Sequence, residues 1–397
     1  MKVLLVSPNF YPNSGGVESH LIEVMKALSD IKFVVLTNWR PGAERAAALF
    51  PTTDFYFVSP SAKSLRKWFA WSKPTMAMHR VIKASFEFLR YWNRRQRLSR
   101  IGADLVHFHS MDLDQTSRLL RKVGMIGLMR GLYRRTVEAA GRDVDVLLTD
   151  HTIFTAPPQV FPDEAKIALL QSFENIVSVD TKSFEFVKAF QATHPGRLWF
   201  IPNSVDTDVF SEAPTIHDGF QVGYAGRIGK TGEEILLEVV EELGDNVAWR
   251  FALAGELADA QQWRIARLVP DAEFVFNTDY LRMPQFYSSI DLLLNPFPGE
   301  GVGRTTLEAM ACGVPVIAVG AGDKYPIRNG ETGYLVPPNP KEIARTIMDL
   351  KANRKHLRVL GKNARNIILR EFSSSVVLPR LRAVYSELSN KRRRQGG

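Results

Sequence analysis

Short, almost continuous apolar runs recur along this chain, separated by stretches with helical periodicity. Strands that are apolar on both sides are stable only where both faces of their sheet are covered. That is the condition of a parallel sheet flanked by its crossover helices. The first series of runs reads VLLVSP, KFVVLT, DFYFVS, ADLVHFH, DVLLTD, NIVSVD and LWFIPN; the second reads FQVGYAG, RFALAG, EFVFN, DLLLNP, PVIAVG and GYLVPP. Two series predict two Rossmann-like, doubly wound α/β domains, with the seam between Pro202 and Thr215. A chain of 397 residues is long enough for two such cores. The domains are expected at 1–203 and 204–372, and the tail 391–397, ending KRRRQGG, is expected to be disordered.

Composition narrows the class of molecule. No stretch approaches the roughly 18 consecutive apolar residues of a membrane span. The opening MKVLLVSPNFYP breaks at Pro8 and reads as a buried strand, not a leader. Cys312 is the sole cysteine, so no internal disulfide can form. The expected location is cytoplasmic.

Ligands of open parallel sheets bind beyond the carboxyl ends of the strands, where three segments draw notice. In SPNFYPNSGGVESHLIEVMKAL, Gly15 and Gly16 sit between a strand and a helix. Glycines allow close backbone approach, and a helix start favours phosphate. Alone, the segment is equally well explained as a tight βα turn. In GYAGRIGKTGEEILLEVVEEL, a glycine turn carries Arg227 and Lys230 ahead of a helix. Two cations there suit a diphosphate, or are simply solvated. The third is NPFPGEGVGRTTLEAMACGVPVIAVG, in which Glu300 lies in a glycine-rich loop and Glu308 about a turn into the next helix. The first-turn amides of Gly303, Arg304 and Thr305 are available to phosphate, and carboxylates accept well from the paired hydroxyls of sugars. The bland reading is a surface Glu plus a Glu stabilised by the helix dipole.

The Glu-x7-Glu arrangement followed by AMACGVPVIA resembles the signature of the family 4 retaining glycosyltransferases. So do YPNSGGVESH, IPNSVDTDVF, YAGR and NGETGYLVPP, in that family's order. The resemblance implies the GT-B architecture, two Rossmann-like domains facing a central cleft, with a last helix crossing back to the first domain. EFSSSVVLPRLRAVYSEL is similar to that helix, which is expected at 373–390. It also implies roles: Glu308 for the nucleotide ribose, Glu300 for the transferred sugar, Arg227 and a nearby lysine for the diphosphate. Gly16 would lie near the reacting centre, and His151, in LLTDHTIF, near the donor sugar. Three positions depart from the pattern. Thr231, not lysine, precedes Gly232, leaving Lys230 one step early, with Arg304 as a candidate to compensate. Ser204 and Asp180 replace the usual glycine and serine. The resemblance implies no bound metal and no cofactor beyond the donor. The pairs Asp112-x-Asp114, Asp143-x-Asp145 and Asp206-x-Asp208 accordingly read as ordinary loop carboxylates. Cys312 reads as packing, and His107 and His109 as strand-end residues, either structural or lining the cleft.

Charge supplies the last expectation. Residues 61–135 hold 17 Lys and Arg against four acids, a local +13, so the rest of a chain whose net charge is +9 carries −4. Trp68, Trp71 and Trp92 are interleaved with these cations, the composition of helices lying at an anionic membrane surface; a pair of plain amphipathic helices is the alternative. Nucleic acid fits less well, since no recognised binding motif is present. The resulting expectation is a retaining, metal-independent hexosyltransferase at the cytoplasmic membrane face. Its donor is a nucleoside-diphosphate sugar and its acceptor a glycan or lipid-linked glycan. A nucleotide-sugar epimerase of the same fold is the alternative. A nicotinamide dehydrogenase ranks lower, because the full GxGxxG pattern is missing.

Overall fold

The computed structural model describes residues 1–7, 10, 15–37, 45–57, 101–109, 127, 144–151, 153–154, 162–191, 196–213, 219–227, 230–254, 258–297, 303–320 and 324–393. Most of the basic segment 61–135, Glu300, the side chain of Lys230 and the last four residues of the tail lie outside them. The chain forms two units. The first comprises Met1–Asn13, Leu28–Pro202 and Pro379–Gly397; the second comprises Ser14–Ala27 and Asn203–Leu378.

Every apolar run named above is a strand. The first unit holds β1 (Lys2–Val6), β2 (Lys32–Thr37), β3 (Asp54–Phe57), β4 (Leu105–Phe108), β5 (Asp145–Asp150), β6 (Asn175–Ser178) and β7 (Arg197–Phe200). They pair in parallel in the order β3-β2-β1-β4-β5-β6-β7. β1 is the pivot: Val3 stands opposite Phe33 on one side and Leu105 on the other. The second unit holds β8 (Gln221–Gly226), β9 (Ala248–Leu253), β10 (Glu273–Phe276), β11 (Leu292–Asn295), β12 (Val316–Val319) and β13 (Gly333–Val336). Their order is β10-β9-β8-β11-β12-β13. Strand order reverses between β1 and β4 in one sheet and between β8 and β11 in the other. These are the switch points at which doubly wound sheets open a crevice.

The described helices are α1 (Gly16–Ala27), α2 (Arg45–Leu49), α3 (Asp163–Leu170), α4 (Thr181–Gln191), α5 (Lys230–Leu243), α6 (Ala258–Ala266), α7 (Met283–Ser288), α8 (Arg304–Ala311), α9 (Pro340–Ala352), α10 (Arg354–Glu371) and α11 (Ser374–Arg393). Their ends follow local chemistry. Asn339 caps α9 by accepting from the Lys341 and Glu342 amides, with Pro340 in the first turn. Asp180, one of the departures noted above, accepts from the Ser183 amide at 3.0 Å, the bond of a residue capping α4. Helix faces follow spacing. Leu236, Val239, Val240 and Leu243 of α5 are buried against Tyr224 and Phe251 of the second sheet. Full burial of such a side chain contributes about 1.5–3 kcal/mol. In the first unit, Leu381, Val384, Tyr385 and Leu388 of α11 are buried, and Arg380 donates to the Phe200 carbonyl at the end of β7. Among the described residues no helix is long and apolar enough to cross a membrane.

One helix position is fixed by steric approach. A Cβ on Gly361, within α10, would lie 2.1 Å from the Gly313 carbonyl oxygen that follows α8. Alanine is the better helix former by about 1 kcal/mol, but here the backbone would have to separate. We expect Gly361→Ala to lower stability by about 1–3 kcal/mol, the range for overpacking a close-packed site. Urea denaturation checks this, and a gain in stability would contradict the packing described.

Candidate functional site

In the second unit the switch point lies between β8 and β11. β8 ends at Gly226, whose φ of +134° suits glycine and turns the chain out to Arg227. Arg227 is exposed. α1 belongs to this unit, and its start closes on the same place. A Cβ on Gly15 would lie 3.3 Å from an Arg227 guanidinium nitrogen, and one on Gly16 would lie 3.6 Å from Cδ of Arg304. The structure therefore gathers Gly15, Gly16, Arg227 and Arg304. Lys230 opens α5 on the chain just after Arg227.

β11 ends at Asn295, which organises the turn beyond it. Its Oδ1 accepts from the Phe297 amide at 3.3 Å, and its Nδ2 donates to Oγ1 of Thr306 at 3.1 Å in the first turn of α8. Gly303 is the N-cap of α8 and has no side chain with which to cap, so nothing of its own covers the amides of Arg304 and Thr305.

Arg304 is engaged elsewhere. Its guanidinium donates to Glu23 of α1 and, at 2.9 Å, to the Ser204 carbonyl. The two side chains are 5% and 0% exposed, so this is a fully buried ion pair. Glu23 is satisfied on every side: Tyr280 donates to it at 2.7 Å, Ser204 at 2.9 Å and Ser374 at 3.3 Å. Ser204, at the position where the family usually has glycine, thus has a partner. Burial opposes the charge of Arg304, yet Glu23 and then Glu308 beside it raise its pKa above the ordinary arginine value. Glu308, one turn further along α8, accepts from the Tyr287 hydroxyl at 2.9 Å and lies 3.7 Å from Nε of Arg304. Burial raises its pKa above the usual carboxylate value, against the pull of Arg304. The result is a carboxylate held at one orientation beside a helix start.

His151 belongs to the first unit, just beyond β5. Its Nε2 is 3.3 Å from Nδ1 of His109, and His109 lies against His107 with ring centroids 3.8 Å apart. His107 is fully buried and structural. It is hydrogen-bonded to the Tyr385 hydroxyl at 2.7 Å and to Oγ1 of Thr149 at 2.6 Å, which ties β4 to β5 and α11. Burial, then the charge of His151, lowers its pKa well below the ordinary value and keeps the ring neutral. Burial likewise pushes the Asp150 carboxyl, directly before His151, up to about 7. Asp206, in one of the paired-carboxylate motifs, accepts from the amides of Asp208 and Val209 and so closes its own turn.

Glu23, Tyr280 and Tyr287 did not emerge from the sequence. Glu23 carries one signal, a carboxylate set between Ile22 and Val24 in the otherwise apolar LIEVM.

Comparison with known proteins places this geometry. Residues 219–353 match the family model described as glycosyl transferases group 1. The capsular polysaccharide biosynthesis glycosyltransferase CapM of Staphylococcus aureus is 27% identical over 186 residues, 43% of this chain and 47% of that protein. A phosphatidylinositol N-acetylglucosaminyltransferase component of Arabidopsis thaliana is 22% identical over 87% of this chain and 73% of its own length. HepE of Anabaena, solved with UDP-glucose, superposes with a TM-score of 0.72 at 18% identity, over 98% of this chain and 100% of that one. The fold is GT-B, as the sequence motifs led us to expect, and residues 219–353 carry the similarity to group 1 glycosyltransferases.

Removing Glu23 takes from the buried Arg304 its hydrogen-bonded counter-ion and leaves only Glu308 at 3.7 Å; breaking a buried pair costs about 3–5 kcal/mol. We therefore expect Glu23→Ala to destabilise the second unit by that amount, and Tyr287→Phe by only about 1 kcal/mol. Denaturant titrations of the two variants read the difference; equal effects would mean that the ion pair does not hold this region together.

Proposed function

We propose that this chain, with a group 1 glycosyltransferase domain in a GT-B fold, transfers a hexose from a nucleoside-diphosphate sugar with retention of anomeric configuration. The observation that carries the reading is the start of α8: uncapped amides beside the β8–β11 switch point, followed one turn later by the oriented carboxylate of Glu308. In this reading Glu308 accepts from the ribose hydroxyls. The diphosphate lies on the amides of Gly303, Arg304 and Thr305, facing Arg227 and Lys230. The Arg304 side chain fixes that turn through Glu23. Glu300 contacts the transferred sugar, and Gly15 and Gly16 leave room at the reacting centre. His151 is assigned to the donor sugar in the first unit.

No protein nucleophile enters the scheme, and no metal is assigned to it. The acceptor hydroxyl attacks the face from which the diphosphate departs, and the departing diphosphate takes its proton. The protein supplies orientation and stabilisation of phosphate charge. Similarity to a capsular polysaccharide enzyme favours a glycan or lipid-linked acceptor. The basic segment 61–135 would dock the protein on an anionic membrane face, where each well-placed Lys or Arg contributes about 1 kcal/mol.

A charged hydrogen-bond partner is worth about 1.5–3 kcal/mol, so Glu308→Ala is expected to weaken nucleoside diphosphate binding about ten- to a hundredfold. Glu300→Ala is expected to lower turnover instead. Calorimetry with UDP, GDP and ADP checks the first, and initial rates with the sugar donor check the second. Undiminished binding by folded Glu308→Ala overturns the ribose assignment. Proton NMR of the product reads the anomer, and inversion would refute the front-side mechanism.

A further inference from the structure

The second unit buries a lysine that the preceding scheme does not use. Lys324 follows β12 and is 3% exposed. Its ammonium donates to the Phe297 carbonyl at 2.8 Å. Among the described residues it forms no ion pair. Burial lowers its pKa to about 8. An ammonium has three donors, and burying one is costly, so the Phe297 carbonyl, its one partner among the described residues, leaves donors over.

Its location is specific. Phe297 is the residue whose amide Asn295 holds while also holding Thr306 in the first turn of α8. The Phe297 ring packs against Gly232 in the first turn of α5, where a Cβ would meet the ring at 2.7 Å. The stretch Asn295–Phe297 therefore joins the starts of both helices beside the switch point, and Lys324 is fastened to it. Thr231, directly before Gly232, brings no charge there.

We infer that Lys324 is a donor-binding residue: its ammonium, fixed on the Phe297 carbonyl between the starts of α5 and α8, takes the diphosphate of the nucleotide as counter-ion. The inference rests on the group 1 reading above and assigns a cation to the donor diphosphate from a loop that the sequence motifs left unused. A purely structural lysine would tie β12 to β11 and nothing more.

Two variants separate these roles. Lys324→Met removes the charge and the donor; Lys324→Gln removes the charge and keeps a donor for Phe297. Calorimetry compares each with wild type, using UDP, GDP and ADP and the corresponding nucleosides. The expected result is a loss of about ten- to a hundredfold for the diphosphate, with nucleoside affinity unchanged, in Lys324→Gln as well as Lys324→Met. Diphosphate affinity retained by Lys324→Gln, or an equal loss for nucleoside and diphosphate, overturns the inference and leaves the group 1 reading standing. Wild-type protein that binds none of the diphosphates overturns both.

Discussion

A parallel strand cannot return to its neighbour through a hairpin; it needs a crossover, and the crossover is a helix. That constraint arranges both units. It puts every strand-to-helix loop at the carboxyl edge of its sheet, and wherever strand order reverses, the adjacent loops diverge and leave a crevice. In the second unit, the reversal between β8 and β11 brings Gly226, Arg227 and Asn295 to one edge, although β8 and β11 are far apart in sequence. The chemistry assigned to this unit is a product of that edge.

What gives this edge a fixed geometry is the buried ion pair of Glu23 and Arg304. A buried pair is weak evidence for stability, since desolvation offsets much of the attraction. Here the pair comes with three hydroxyl donors to Glu23 and a carbonyl acceptor for Arg304, whose Nε lies 3.7 Å from Glu308. What it fixes is position: the first turn of α8 is held by the side chain of its own first residue, and Glu308 one turn later takes its orientation from Arg304 and Tyr287. Stacked apolar side chains would fill the same volume without specifying a direction.

The fold was legible because parallel strands are written as apolar runs, and their length and spacing survive in the sequence. The candidate site was legible where it is local: the Gly226 turn before Arg227, and Glu308 one turn into the helix that Gly303 opens. It was not legible where it is assembled from afar. Glu23 and Arg304 are 281 positions apart, and no periodicity joins them. His107 and Tyr385 are 278 apart, and a histidine ending a strand reads the same whether it faces solvent or a buried tyrosine. Lys324, beside Asp323, has the composition of a solvated turn; only burial and the Phe297 carbonyl distinguish it. Asp180 and Ser204 looked like departures; Asp180 bonds within its own helix start, and Ser204 donates to Glu23, 181 positions away.

The division of the chain has a consequence for the order in which the protein is made. Ser14–Ala27 precedes most of the first unit in the chain and belongs to the second; Pro379–Gly397 follows the second unit and belongs to the first. During translation Glu23 is made long before Arg304 exists, and Tyr385, one of the two partners of His107, arrives only after the second unit has been synthesised. Neither unit can therefore finish folding as a nascent N-terminal domain, as strings of contiguous domains do. The first sheet waits for α11 with part of its apolar surface uncovered. Loss of α11 is therefore felt in the unit whose strands were synthesised first.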